Sequence, residues 1–78
     1  MPHVEIQCFV GRTDEEKKIC AEKIADVIAE SLGCPKSSVS VAIKDISKDE
    51  WKAKVWDTCI IPDKDYLYKE PGYSYDEG

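Results

Sequence analysis

From Val4 to Val10 the chain alternates: Val4, Ile6, Cys8 and Val10 fall on one side, His3, Glu5 and Gln7 on the other. A period of two is the signature of a strand with one buried face. Phe9 breaks the alternation, so the second face should meet something apolar near that end. The period then changes. Gly11-Arg12-Thr13 reads as a turn, and Thr13-Asp14-Glu15-Glu16 has the spacing of a capping box at a helix start. Cys20, Ile24, Val27, Ile28 and Leu32 follow at helical intervals, with most of the charge elsewhere. Gly33 stands where a left-handed cap would end the helix, and Pro35 comes two residues later. Val39, Val41 and Ile43 restore the period of two and predict a second strand from about Ser38 to Ile46.

Strand, crossover helix and strand make a βαβ unit, which requires parallel pairing and a right-handed crossover. Beyond it, Ser47-Lys48-Asp49-Glu50 offers a second capping box and predicts a short helix carrying Trp51 and Val55. Pro62 suits the first turn of another short helix, with Asp63 and Asp65 near its positive end. "EPGYSY" closes the pattern, and the last few residues are expected to be mobile. The fold class is therefore α/β (α+β): two parallel strands, one long helix and short C-terminal helices. It forms one domain over residues 1–78, with its core at about 2–46 and an extension from about 47. Two strands leave open edges and a bare face, and Trp51, Trp56, Ile60 and Ile61 exceed what one helix face can hide. Self-association that extends the sheet, and that also covers its bare face, is the expected remedy.

Charge narrows the function. Sixteen acidic against eleven basic side chains give a net charge of −5, interleaved as in "DEEKK" and "KDEWKAK". Such a surface is solvated and offers no general attraction to nucleic acid or anionic lipid. No apolar run approaches the length of a membrane span, and no charged leader precedes one. The four cysteines, at 8, 20, 34 and 59, contain no CxxC, and His3 is the sole histidine, so no zinc site is expected. Reduced thiols and a cytoplasmic location follow as the default, with Cys8 and Cys20 as small core residues.

Pro2 is the candidate for chemistry. A strand tolerates proline at its first position, which is the plain explanation for it. Removal of Met1, however, would turn Pro2 into a free secondary amine. An α-amino group titrates near about 7.7–8, and desolvation or a nearby cation lowers that value. A base tuned to the working pH is worth about 10²–10⁴-fold in rate.

Pro2 at a strand head, then "GRTDEEKK", an amphipathic helix and "KSSVSVAIKDI", resembles the 4-oxalocrotonate tautomerase family of the tautomerase superfamily. The resemblance runs from Pro2 to about Ile46, and the longer tail is similar to that of a bacterial subgroup linked to phenylpyruvate-type enol–keto tautomerisation. It implies a cofactor-free keto–enol tautomerase with Pro2 as general base, Arg12 as carboxylate anchor and Trp51 lining the pocket. Ser40 stands where members acting on dicarboxylates carry an arginine, so the resemblance implies a monocarboxylate or aromatic enol in place of 4-oxalocrotonate. Residues 2 and 12 would lie up to about 33 Å apart on an extended strand, so a shared site needs two chains. The implied partners are a small enol or keto acid and further copies of the chain, as a dimer or alternatively a hexamer. Two other readings stay open at this point: a noncatalytic βαβ binding or scaffold oligomer, and a Pro2-dependent hydratase, dehalogenase or decarboxylase.

Overall fold

A computed structural model describes residues 1–75. The chain divides into two compact units, one from Met1 to Asp45 and a second beginning at Ile46. In the first, strand β1 (His3–Phe9) leads to helix α1 (Asp14–Leu32), a 3₁₀ turn at Lys36–Ser38, and strand β2 (Ser40–Ile46). The two strands are parallel, hydrogen-bonded neighbours, so the βαβ expectation holds.

Helix α1 begins and ends where its caps dictate. The Glu16 amide donates to Thr13 Oγ1 at 3.1 Å, and the Thr13 amide donates to Glu16 Oε1 at 2.9 Å, which closes the capping box. Asp14, Glu15 and Glu16 place negative charge on the positive end of the helix dipole. At the other end Gly33 takes the left-handed conformation (φ 68°, ψ 49°), and the Cys34 amide returns to the Ala29 carbonyl at 3.1 Å.

The inward stripe of α1 differs from the expected one. Ala25 is buried, with Ala21, Ile24, Ile28 and Ala29 half-buried around it, whereas Cys20, Val27 and Leu32 are exposed. Two strands cover only a narrow arc of a helix, and alanines at four-residue spacing occupy that arc. Cys20 is therefore a surface residue; Cys8 is half-buried. Strand β2 starts two residues later than expected because Ser38 is held in the preceding turn, its amide and hydroxyl both donating to the Pro35 carbonyl at 3.0 and 2.8 Å.

In the second unit Ser47 caps a 3₁₀ turn at Lys48–Glu50, accepting the Glu50 amide at 3.3 Å. The short helix expected to carry Trp51 and Val55 is a nine-residue π-helix at Lys52–Ile60. Its i→i+5 bonding is seen where the Ile61 amide donates to the Trp56 carbonyl at 2.9 Å. The side chains explain the wider turn. Val55 and Trp56 are buried and Trp51, Cys59 and Ile60 half-buried, at spacings of four, five, eight and nine residues from Trp51. A turn closed by i→i+5 bonds holds more than 3.6 residues, so these positions share a face that an α-helix would splay apart. Trp56 meets Tyr73 and Tyr75, each with ring centroids 5.3 Å away. Pro62 precedes the last 3₁₀ turn, Lys64–Tyr66, and Asp63 is its N-cap, so Pro62 lies one step outside the helix it was expected to enter. The expectation of a mobile C-terminus concerns in part residues 76–78, which lie outside the described residues. Among the described residues, no helix is long and apolar enough to cross a membrane.

Candidate active site

Parallel pairing brings the starts of both strands together, and with them Pro2, His3 and Ser40. The Ser40 amide donates to the Pro2 carbonyl at 3.2 Å, which is the first rung of the ladder. Ser40 Oγ lies 2.6 Å from His3 Nδ1. Pro2 is half-buried, whereas Met1 before it is fully exposed, so the Met1–Pro2 bond is open to solvent. One step along the same face, the Lys44 ammonium pairs with Glu5, and its hydrogen bond holds the Glu5 carboxyl below the ordinary carboxylate range.

Arg12 belongs to the other end of β1. Its Nη1 donates to the Phe9 carbonyl at 3.1 Å, which pins the guanidinium over the strand end. It lines a groove of about 210 Å³ with Ile6, Cys8, Glu16, Lys17, Cys20 and Ile43. Lys17 is held at 2.7 Å by Asp45, a hydrogen bond that raises the lysine above its ordinary value. Glu16 is occupied by the helix cap, its carboxyl lowered first by the Thr13 backbone amide and then by the Thr13 hydroxyl. Arg12 spends one N–H on Phe9 and retains donors for an incoming carboxylate, which its planar fork suits.

Of the four expected site residues, then, Pro2 and Ser40 are neighbours and Arg12 is remote from both along the strand. Trp51 lies in the second unit, half-buried, its indole N–H donating to the Tyr73 hydroxyl at 2.9 Å. His3, which the alternation sets on the face opposite Val4, is joined to Ser40 by the structure. The available signal was weak but real: each strand opens with a polar residue, and parallel register sets those openings side by side.

A family model described as "Tautomerase enzyme" matches residues 2–55. Tautomerase PptA of Enterobacter sp. (strain 638) is 49% identical over 75 residues, 95% of this chain and 99% of that protein. Tautomerase PptA of Escherichia coli (strain SMS-3-5 / SECEC) is 44% identical over 75 residues, with the same coverage. The crystal structure of a 4-oxalocrotonate tautomerase homologue shares the fold, with a TM-score of 0.60 and 24% identity over 65% of this chain and 81% of that one. A family match beginning at Pro2 and near full-length similarity to curated tautomerases agree with the βαβ topology: the chain belongs to the tautomerase family and is a keto–enol isomerase.

Proposed function

We propose that this tautomerase interconverts the enol and keto forms of a small 2-oxo monocarboxylate, with an aromatic tail as one suitable substituent. Pro2, freed by loss of Met1, is the general base, and Arg12 of a second chain anchors the carboxylate. The proline nitrogen takes the enol hydroxyl proton as the oxygen becomes a carbonyl, and the C=C electrons take a proton back at carbon. No atom is gained or lost. The observation that carries the reading is the placement of Pro2 and the Arg12 groove at opposite ends of one seven-residue strand, about 23 Å at the usual rise. Antiparallel edge pairing of β1 with a second β1 would bring the two together, and a dimer suffices for that.

The substrate class follows from the charges. Ser40 is neutral, Lys17 is paired with Asp45 and Lys44 with Glu5, which leaves Arg12 as the guanidinium for one carboxylate. The test is an intact mass of the protein from its own cell, followed by ketonisation of phenylenolpyruvate by that sample and by its Pro2→Ala variant. Loss of Met1, with rapid ketonisation that falls at least 10²-fold on Pro2→Ala, supports the base role. A retained Met1 in an active sample, or an undiminished Pro2→Ala variant, overturns it.

A further inference from the structure

We propose that His3 and Ser40 act as one unit that turns the Ser40 hydroxyl toward the reacting oxygen of the substrate, with His3 as the positioning residue. The inference rests on the Pro2 reading above, because it concerns the substrate that Pro2 would deprotonate.

Ser40 is fixed twice at the strand start: its amide bonds the Pro2 carbonyl at 3.2 Å, and its Oγ meets His3 Nδ1 at 2.6 Å. A hydroxyl has one proton to donate and two lone pairs to accept with. When Nδ1 carries a proton, it donates to Oγ, and the Ser40 proton is released for another acceptor. When Nδ1 is bare, the Ser40 proton is consumed by the ring. The His3 ring therefore decides whether Ser40 is a donor toward the site, without touching substrate itself. Both side chains are exposed, so an entering oxygen can reach the hydroxyl.

Keto–enol exchange needs such a donor. Removal of the enol or carbon-bound proton leaves negative charge on the oxygen, and a donor aimed at that charge lowers the barrier more than it strengthens binding of the neutral ground state. The charged groups on the same sheet face are Glu5 and Lys44, and they are paired with each other. The His3–Ser40 pair adjoins Pro2 through the bond from the Ser40 amide to the Pro2 carbonyl.

A double-mutant cycle on phenylenolpyruvate tests this in Met1-free protein, with Ser40→Ala, His3→Ala, the double variant, His3→Asn and Pro2→Ala measured together. Asparagine can present an amide N–H where the ring presents Nδ1–H. Ser40→Ala and His3→Ala should each lower kcat by about 10- to 100-fold with KM changed far less, at or below the loss seen when one oxyanion donor is removed. The double variant should be no worse than the poorer single variant, and His3→Asn should recover most of the loss. Far-ultraviolet spectra and thermal unfolding should match wild type. Multiplicative losses, an unaffected His3→Ala, or a His3→Asn as poor as His3→Ala overturns the unit while a crippled Pro2→Ala leaves the base reading standing. A fully active Pro2→Ala overturns the base reading, and this one with it.

Discussion

Mixing two impaired variants is the sharpest test of a site shared between chains. Pro2→Ala removes the secondary amine, and Arg12→Ala removes the guanidinium that lies over the end of β1. Charge-assisted hydrogen bonds are worth about 1.5–3 kcal/mol, so Arg12→Ala should lower kcat/KM by roughly 10- to 150-fold. About 23 Å of strand separates the two positions within one chain. No single chain can close that gap, because β1 is held straight by its ladder with β2.

In the proposed two-fold dimer each site would take Pro2 from one protomer and Arg12 from its partner. Equal amounts of the two variants, unfolded together and refolded, should form mixed dimers about half of the time by chance. Each mixed dimer holds one site with both residues intact and one with neither. About a quarter of the wild-type sites are thus restored, and phenylenolpyruvate ketonisation should return to about a quarter of the wild-type rate. Native mass spectrometry of the same sample confirms that mixed dimers formed. Activity that stays at the sum of the separate variants, with mixed dimers present, refutes the shared site.

Gly33→Ala should destabilise the protein by about 1 kcal/mol: the left-handed backbone penalises a Cβ, although nothing lies within 4 Å of where one would be built. Gly33→Asn should cost less, and thermal melts at fixed concentration measure both. Trp56→Ala should cost about 3–5 kcal/mol, since a buried ring packed on Tyr73 and Tyr75 is lost; denaturant unfolding followed by far-ultraviolet circular dichroism reports it. The Glu16 carboxyl is held low in the folded chain, so its contribution is present above the unfolded-state value and lost as pH falls through the folded one. Wild type should therefore melt above Glu16→Gln at neutral pH, with the difference shrinking on acidification; a gap that does not change with pH would remove the carboxylate from the cap.

Helix α1 was legible in the sequence from cap to cap, because Thr13, Glu16 and Gly33 act through local backbone geometry. Which of its apolar residues are covered was not legible. Alanine scarcely registers in a hydrophobic pattern, yet Ala21, Ala25 and Ala29 carry the inward stripe, while Val27 and Leu32 are exposed. The π-helix escaped for a related reason: spacings of four and eight read as an ordinary helix face, and the added five and nine fit no 3.6-residue template. Of the candidate site, Pro2 and Arg12 stand out by residue type and place. The His3–Ser40 bond depends on register between strands 37 positions apart in sequence, and no local pattern encodes that.

The sheet face that carries His3, Glu5, Ser40 and Lys44 bears on how two chains would meet. His3 with Ser40 and Glu5 with Lys44 already satisfy one another there. Burying that face would strip water from four polar side chains for little new bonding. Edge pairing asks for no such loss, because it adds backbone hydrogen bonds beside the strand and leaves both faces as they are. This favours a dimer over an assembly that stacks sheets face to face. The end of β1 would then supply what the proposed Pro2 base needs. Phe9 and Val10 are 40% and 59% exposed beside Arg12, an apolar patch next to a cation. A partner's proline nitrogen set against them in antiparallel register would lose water and gain a positive neighbour. Both effects disfavour the ammonium form and lower the amine toward neutral pH, the direction a general base requires.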